Sequence, residues 1–538
     1  MYTGRILPPN TDEVTLDAFF NSVASHVGAE NVSRDYIEGA SPDRQGACSY
    51  ADPFPIARDH TPSGAVPPQK VDEVQAILRD ANRFRIPLWT VSRGKNLGYG
   101  GSAPVVKGSV VLDLHRMKRI IEINEEFAYA IVEPGATFFD LYEAVKERGL
   151  KLWPSVPSLA WGSVLGNTLD RGFGYTPEGE HAQMQCGMEV VLPNGELVRT
   201  GMGAMEGNKC FALYKGGLGP SVDGLFFQSN LGVVTKLGIH CNPAPEAFIR
   251  CEVFTPREED LTALIDISTD LLRRRILSNS PGITNILGKI LAAGEDSAVR
   301  AKIAPYIGHS AIPNEVVKEI QKVKQWPWWV NLFSLYGPPE IIKVQRDVVQ
   351  RAFEAIPGSR INWELHTSPP GEFLDAEIIG PTPEILPQTG RPTLHSLSCL
   401  EFRGKGAGHI AFAPVLPPSG RDMYEWYLEA KELTMTAGFD FLADFHLFAR
   451  YVIPIDLVLF TASEQDTMAS LLRKLTDMTA QLGYTEYRTH VSFMDDVASH
   501  QNFNSGAMGR LNASLKDLLD PRGVLSPGKS GVWNSSAK

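Results

Sequence analysis

The sequence predicts an α+β protein built from two halves of different character. The first 240 residues mix short strand-like runs with helical segments, and glycine-rich stretches interrupt them several times. A break at Cys241–Pro245 separates this half from a region in which long helical segments dominate. Many short strands combined with helices are typical of an α+β fold.

The first half begins its regular structure with an amphipathic helix. Apolar residues recur at helical spacing from Val71, and the pattern continues to Arg85. Thr137 can cap a second helix that ends near Gly149. The strand-like runs between these helices lie at 86–90, 109–114, 119–124 and 128–133.

The second half is predicted to carry helices at 258–275, 313–324, 338–355, 421–437 and 464–482. Residues 367–392 are rich in proline and glycine and predict a long loop. Three tryptophans at 326, 328 and 329 are expected in the core rather than on the wall of a binding site. The tail, 485–538, is expected to return to loops punctuated by glycine.

Composition excludes several classes of partner. The chain of 538 residues has a net charge of −11, which argues against nucleic acid and anionic membranes because binding phosphate needs clustered positive charge. No apolar run is long enough to span a membrane, and the N-terminus lacks the apolar segment of a secretory signal. Six cysteines without Cys-x-x-Cys pairs predict reduced thiols rather than a metal site, so we expect a cytoplasmic protein.

The stretch Val91–Gly101 is the strongest candidate for a ligand site. It lies between two strand-like runs and holds four glycines, which let backbone N–H groups approach an anionic group such as a pyrophosphate. The alternative is an ordinary glycine-rich turn. The spacing differs from the dinucleotide fingerprint of the Rossmann fold, and a strand follows where a helix should begin. Further glycine-rich stretches at 161–167, 171–177 and 228–232 favour one extended cofactor.

Several polar residues are candidates for chemistry. Tyr487 and Arg488 could stabilise an anion together, although a solvated surface strand is the alternative. His409 begins a half-buried strand, where a histidine is usually structural. Asp444 lies in an apolar run, where a carboxylate is costly unless it is paired or functional; the alternative is the polar side of an edge strand. Gly528–Ser530 is an incomplete phosphate loop, and we reject that interpretation.

Together these residues resemble the 4-phenol-oxidising flavoenzymes, the family of vanillyl-alcohol oxidase, eugenol oxidase and the 4-cresol methylhydroxylase flavoprotein. The resemblance spans most of the chain and is strong in residues 70–240 and 484–533. The stretches that carry it are 87–101, 166–177, 486–490 and 527–531.

The resemblance implies an FAD-binding domain formed by 1–245 and 485–538, with an α+β cap domain at 246–484 that covers the substrate. It implies that His409 is bonded covalently to the 8α-methyl group of FAD. The other residues expected to contact FAD are Ser92, Arg93, Gly94, Lys95, Asn96, Leu97, Gly98, Ser163, Gly166, Asn167, Asp170, Gly172, Tyr175, Arg488 and Lys529.

The family oxidises para-alkylated phenols, and the resemblance assigns roles at the substrate. Tyr99 and Tyr487 would hydrogen-bond the phenolic oxygen, and Arg488 would favour its deprotonated form. Hydride would then pass from the para benzylic carbon to flavin N5 and leave a quinone methide. Oxygen is the expected electron acceptor, and a cytochrome or another carrier is the alternative. The resemblance also implies a homodimer or a larger homo-oligomer.

Two departures from the family pattern concern the substrate. The oxidases carry an aspartate near flavin N5 where this chain has Ser158, whereas the methylhydroxylase carries its acid at the position of Asp444. We therefore expect Asp444 to act as the base towards water or the quinone methide. Val452–Pro454 replaces a Met-His-His run that is common in the family, which predicts an unusual substrate side.

Overall fold

The computed structural model describes residues 5–34, 50–54, 56, 59–293, 296–380, 382 and 384–537. The α-helices are α1 (Glu13–Val27), α2 (Val71–Phe84), α3 (Phe138–Glu147), α4 (Val164–Leu169), α5 (His181–Met184), α6 (Leu261–Arg273), α7 (Ile286–Ala292), α8 (Ser297–Ile303), α9 (Asn314–Lys324), α10 (Pro339–Phe353), α11 (Gly420–Thr436), α12 (Gln465–Gln481), α13 (Met494–Ser499) and α14 (Phe503–Leu519).

The strands are β1 (Gly64–Val66), β2 (Leu88–Val91), β3 (Val110–Asp113), β4 (Ile120–Asn124), β5 (Tyr129–Val132), β6 (Leu152–Trp153), β7 (Gln185–Val191), β8 (Leu197–Arg199), β9 (Val233–His240), β10 (Asn242–Pro243), β11 (Ala247–Thr255), β12 (Gly282–Asn285), β13 (Trp329–Gly337), β14 (Arg360–Thr367), β15 (Gly408–Val415), β16 (Asp444–Leu447), β17 (Val452–Pro454), β18 (Asp456–Phe460) and β19 (Thr485–Arg488). The mixture confirms the predicted α+β class.

The described part of the first half forms two larger sheets and a short antiparallel pair of β6 with β10. A parallel three-stranded sheet has the order β1-β3-β2, and an antiparallel five-stranded sheet has the order β4-β5-β9-β7-β8. Helix α2 packs with α1 over the first sheet because its apolar face, including Val74, Ile77 and Leu78, is buried. Helix α3 begins at the predicted cap: Asp140 N donates to Thr137 Oγ1 over 3.0 Å, and Thr137 N donates to the Asp140 carboxylate.

The second half is organised by an antiparallel six-stranded sheet with the order β14-β11-β13-β12-β16-β17. Helices α6, α9, α10, α11 and α12 lie where the periodicity predicts them. The tryptophan cluster belongs to the core as expected, since Trp328 is 4% and Trp329 0% exposed and Trp326 packs against them. After β14 ends at Thr367, the described residues of the loop predicted at 367–392 hold only short 3-10 turns.

A three-stranded antiparallel sheet, β18-β15-β19, joins distant parts of the sequence. Strand β19 follows the boundary predicted at residue 484, yet it pairs with β15 from the predicted cap. The division into domains therefore stays a prediction. This sheet carries both the predicted flavin histidine and the Tyr-Arg pair: Arg488 pairs with Ala413, four residues after His409 on β15.

The tail corrects one expectation. Residues 485–538 are not mainly loops, because α13 and α14 lie there. Three consecutive residues, Asn504 to Gly506, have positive φ before the regular part of α14. Buried Lys516 fixes that helix: its Nζ donates to Asp520 Oδ2 over 2.7 Å and to the carbonyl oxygen of Leu525 over 2.6 Å.

No helix in the described part of the chain combines the length and the apolar character that crossing a bilayer requires. The cysteines at 186, 210, 241, 251 and 399 are free thiols, and Cys48 lies outside the described residues.

Candidate active site

A cavity of about 390 Å³ lies where the loops of the first half meet strands β15, β16, β18 and β19. Its size and mixed lining are typical of a cofactor or substrate site. Of the predicted site residues, Gly98 alone does not line it. Those that do are Ser92, Arg93, Gly94, Lys95, Asn96, Leu97, Tyr99, Ser163, Gly166, Asn167, Asp170, Gly172, Tyr175, His409, Asp444, Tyr487, Arg488 and Lys529.

The loop after β2 brings its backbone close to the opposite wall. Gly98 has φ +78°, and a Cβ added there would lie 2.7 Å from His409 Nε2. A Cβ at Gly166 would lie 2.1 Å from Ser92 Oγ. Positive φ and the buried His409 ring both favour glycine at Gly98, whereas a Cβ at Gly166 would require the Ser92 hydroxyl to move. The loop backbone therefore lies against the His409 side chain at Gly98, and helix α4 lies against Ser92 at Gly166.

Helix α4 forms the neighbouring wall. Ser163 caps it by accepting a hydrogen bond from Gly166 N over 2.8 Å. Asn167 and His181 Nδ1 are joined by a 2.7 Å hydrogen bond, so the amide is oriented by the protein itself. Asp170 is the C-cap residue of the helix; it accepts a hydrogen bond from Asn96 Nδ2 over 3.2 Å and pairs with Lys529 Nζ over 3.5 Å. Three segments far apart in sequence meet at that carboxylate.

One end of the cavity collects two phenols and a guanidinium. Arg488 Cζ lies 4.0 Å from the ring centroid of Tyr99 and 5.5 Å from that of Tyr487. The hydroxyls of both tyrosines and Arg488 Nε are buried without a hydrogen-bond partner. Burial raises the pKa of Tyr487, and nearby Arg488 opposes that rise without cancelling it. Tyr487 therefore stays a neutral hydrogen-bond donor. Together, Tyr99, Tyr487 and Arg488 can bind an oxyanion.

His409 lies on β15 and is 5% exposed. Its Nδ1 is buried without a partner, and its ring lies 5.3 Å from that of Phe54 between centroids. Burial lowers its pKa to about 4, although Asp52 acts in the opposite direction. The imidazole is therefore neutral near pH 7 and keeps a free nitrogen lone pair, which is the state that can act as a nucleophile.

Asp444 begins β16, which lies between β12 and β17 in the six-stranded sheet. The edge-strand alternative is therefore wrong. Its Oδ2 lies 3.2 Å from Nε2 of His446, whose side chain is 3% exposed. Tyr175 lies at the same end of the cavity, with its ring centroid 5.6 Å from that of His446. Burial, reinforced by the charge of Asp444, raises the pKa of Tyr175 and keeps it protonated.

Sequence reasoning missed several residues that line the cavity. His446 sits two positions after Asp444, so both side chains point to one face of the strand, and period 2 could have indicated it. Gln228 lies in the glycine-rich stretch 228–232, in which the sequence does not single out one residue. Leu397 and Leu400 lie in a 3-10 segment, His395–Arg403, for which the sequence offered no signal.

The site fits FAD on the observations above. Residues 92–97 of the glycine-rich loop line the cavity, and Arg93 Nε and His409 Nδ1 are buried polar atoms without a hydrogen-bond partner. Backbone amides of a glycine-rich loop and a flanking arginine suit a pyrophosphate. The residues that would hold FAD are the glycine loop, the start of α4, His409 and Lys529.

Comparison with known proteins finds two family models that match parts of the chain. The family model described as FAD binding domain matches residues 62–201, and the one described as FAD linked oxidases, C-terminal domain, matches residues 418–530. The chain is 36% identical over 479 residues to the 4-cresol dehydrogenase [hydroxylating] flavoprotein subunit of Pseudomonas putida, covering 88% of each chain. It is 28% identical over 518 residues to 1'-carboxy-chondrochloren decarboxylase of Chondromyces crocatus, covering 90% of this chain and 93% of the relative.

Solved structures agree with these matches. The 4-ethylphenol oxidase of Gulosibacter chungangensis, in complex with isoeugenol, superposes with a TM-score of 0.89 at 33% identity, covering 99% of this chain and 100% of that one. Substrate-bound p-cresol methylhydroxylase superposes with a TM-score of 0.87 at 31% identity, covering 98% and 99%. The chain therefore belongs to the family of 4-phenol-oxidising flavoenzymes and is an FAD-linked oxidoreductase.

Proposed function

We propose that the protein oxidises para-substituted phenols at the carbon attached to the para position. One observation carries the proposal: Tyr99, Tyr487 and Arg488 present buried polar atoms without partners to the same end of the cavity. Leaving such groups unpaired in the free protein costs stability, which a phenolic oxygen would recover on binding. The names of the 4-cresol and 4-ethylphenol relatives support the same substrate class.

The first task of these residues is to bind the substrate as its phenolate, with the phenolic proton released to water. The guanidinium of Arg488 favours the phenolate by its charge, and the two tyrosine hydroxyls donate to the oxyanion. A phenolate pushes electron density through the ring, so hydride can leave the benzylic carbon and a quinone methide remains. Bound FAD supplies the hydride acceptor.

Asp444 is the base that we propose for the second step. Its carboxylate can take a proton from water as water adds to the quinone methide, or from the quinone methide itself. His446 lies 3.2 Å away and holds the carboxylate in place. Since Ser158 occupies the position of the oxidase aspartate, water is expected to add from the face on which Asp444 lies.

Replacement of the carboxylate tests this role. Asp444→Ala is expected to lower the yield of hydroxylated product or to abolish its enantiomeric excess, because no group remains to orient and deprotonate water. Chiral chromatography of the products of a 4-ethylphenol reaction measures both quantities. Asp422→Ala, on α11 and outside the cavity lining, serves as the control. An unchanged rate and unchanged stereochemistry in Asp444→Ala would show that Asp444 is not the base.

We also propose that His409 forms the covalent link to FAD. The support is its neutral ring, its unpartnered Nδ1 and its contact with the glycine loop at Gly98. Oxygen is the proposed electron acceptor, as in the 4-ethylphenol oxidase relative. Transfer to a carrier protein is the second candidate, because the 4-cresol relative is named a dehydrogenase. Reoxidation of the reduced flavin in air-saturated buffer distinguishes the two: recovery that takes minutes would contradict the oxidase.

The decisive experiment on the reaction is anaerobic mixing with 4-ethylphenol. Bleaching of the flavin absorbance is expected, because hydride leaves the ionised substrate. The matched control is 4-ethylanisole, which has the same benzylic carbon but no ionisable oxygen and should leave the flavin yellow. Equal bleaching by both compounds, or by neither, would contradict the proposed function.

We further propose a cytoplasmic homodimer or larger homo-oligomer. The free state of the five described cysteines is consistent with a reducing compartment. Light scattering coupled to size-exclusion chromatography measures the assembly, and a mass near 59.1 kDa would contradict it.

A further inference from the structure

Asp170 lies at a charged junction that the reaction above does not use. It accepts a hydrogen bond from Asn96 Nδ2 over 3.2 Å and pairs with Lys529 Nζ over 3.5 Å. The side chains of Asp170 and Lys529 are 25% and 20% exposed, so water screens their charges only in part. Both residues line the cavity that holds Tyr487 and Arg488.

The junction is tied to the phenol end of the cavity through one amide. Gln228 Nε2 donates to the carbonyl oxygen of Tyr487 over 2.7 Å and to that of Asp170 over 3.5 Å. The backbone carbonyls of Asp170 and Tyr487 thus lie around one amide nitrogen. The charge of Asp170 acts on both Tyr487 and Arg488, so it should also act on an anion bound beside them.

The charge of Asp170 also acts on Tyr487, whose hydroxyl lies at this end of the cavity. Burial raises the pKa of Tyr487, Arg488 lowers it, and Tyr99 and Asp170 raise it further. The carboxylate thus disfavours a second negative charge at this end of the cavity, which is opposite to the action of Arg488. Lys529, paired with that carboxylate, weakens the effect.

We propose that Asp170 and Lys529 form a counter-ion pair that sets how strongly Arg488 favours the bound phenolate over the phenol. Asp170 is here a positioning residue that acts through Arg488. The inference rests on the proposed function, because it assumes that a phenol binds at Tyr99, Tyr487 and Arg488. It assigns opposite effects to the two members of one ion pair, which a purely structural role would not produce.

The other titratable groups of the cavity are constant across the comparison that tests this. Asp444 is paired with His446, while His409 and Tyr175 are uncharged near neutral pH for the reasons given above. The remaining charged or titratable side chains that line the cavity are Arg93, Lys95, Cys399 and Glu486. Each of these four side chains is present in every variant below. Its titration therefore contributes equally to every midpoint and cancels when the midpoints of two variants are subtracted.

The experiment is a pH titration of 4-nitrophenol bound to the FAD-loaded protein. This probe has no benzylic hydrogen and is not turned over, and its phenolate absorbs strongly in visible light. The unaltered protein should lower the titration midpoint relative to the free compound. Asp170→Asn should lower it further by about 1 pH unit, since a carboxylate that disfavours the anion is gone while the acceptor oxygen for Asn96 remains.

Lys529→Gln should move the midpoint in the other direction, because the charge of Asp170 is then uncompensated. The double variant Asp170→Asn/Lys529→Gln should return close to the unaltered protein. Asp270→Asn removes one surface carboxylate of α6 that does not line the cavity, and it should change nothing. FAD content is measured in each preparation from absorbance after denaturation.

Shifts of the same sign in Asp170→Asn and Lys529→Gln, or no shift in either, would overturn the inference. If only one variant folds, the sign of its own shift still decides. An unaltered protein that leaves the midpoint of the probe where it is in water would overturn the phenolate site itself, and the inference with it. A lowered midpoint that neither variant moves would overturn the counter-ion pair alone.

Discussion

Arg488 concentrates the chemistry of the site at the scale of a single residue. Its guanidinium lies 4.0 Å from one tyrosine ring and 5.5 Å from another, and Nε is left free. Contact with two aromatic faces fixes the cation where a lysine of similar charge would move. The arginine is therefore positioned before the substrate arrives, and its charge needs no reorganisation on binding.

Arg488→Gln should slow anaerobic flavin reduction by 4-ethylphenol about 10- to 100-fold, because a charge-assisted hydrogen bond to the phenolate is lost. The loss should be smallest at high pH, where the substrate ionises without help. Stopped-flow absorbance over a pH series measures this. Arg421→Gln, at an arginine whose side chain is 85% exposed, is the control. A uniform loss at every pH would show that Arg488 does not act on ionisation.

His409 makes a second prediction at the same scale. His409→Ala should still bind FAD through the glycine loop, but acid precipitation should leave a colourless pellet, because the only proposed covalent anchor is gone. The unaltered protein should give a yellow, fluorescent pellet. His26→Ala, on helix α1, is the matched control and should stay yellow. A yellow pellet from His409→Ala would place the link elsewhere.

At the scale of elements, strand β19 carries the buried side chain of Glu486 next to the site. Glu486 is 7% exposed; its Oε1 accepts from Thr476 Oγ1 over 3.0 Å, and its Oε2 has no partner. Burial raises its pKa from 4.5 to about 8, although hydrogen bonds oppose the rise. Between those values the folded protein holds a proton that the unfolded chain has released.

The free energy of unfolding should therefore fall as pH rises from about 5 towards 8, by up to about 1.4 kcal/mol per pH unit from this group. Glu486→Gln removes the titration. The melting temperature of the variant minus that of the unaltered protein should increase as pH rises from 5 to 8.5. Differential scanning fluorimetry measures the difference, and Glu429→Gln on the exposed face of α11 should show no such trend. A difference that is constant with pH would contradict the buried carboxylate.

The elements also show how far the sequence could be interpreted. Helices such as α2 and α10 were predictable because their apolar residues recur at helical spacing. Helix α14 was not, since Gly506 and Gly509 weaken its pattern and its stabilising contact is one buried lysine. The glycine loop and the Tyr-Arg pair were recognisable because they depend on local sequence. Gln228 was not predictable, because its role comes from contacts with Asp170 and Tyr487 that no local pattern contains, whereas the period of two from Asp444 does indicate His446.

At the scale of the whole molecule, Lys516 links the tail to the first half. Its Nζ donates to the carbonyl oxygen of Asn230 over 2.8 Å as well as to Asp520 and Leu525, and its side chain is fully buried. Lys516→Met should lower the free energy of unfolding by about 3–5 kcal/mol, because Asp520 is left as an unpaired buried charge. Urea denaturation followed by fluorescence measures this.

Lys474→Met, on the exposed side of α12, is the control for the loss of one lysine. The double variant Lys516→Met/Asp520→Leu should recover part of the loss, since no charge then remains buried. If Lys516→Met were as stable as the control, the link between tail and first half would be wrong.

The pairing of β2 with the tail has a consequence for how the protein is made. Leu88 N donates to the carbonyl oxygen of Val524 over 2.7 Å, and Thr90 N donates to Ser526 Oγ over 3.1 Å. A ribosome delivers β2 more than 400 residues before its partner, and N-terminal segments fold first during synthesis. The groove for FAD is thus incomplete on every nascent chain. Loading of the cofactor is expected only after residues 524–526 have been synthesised, and a chain truncated near residue 520 should yield colourless protein.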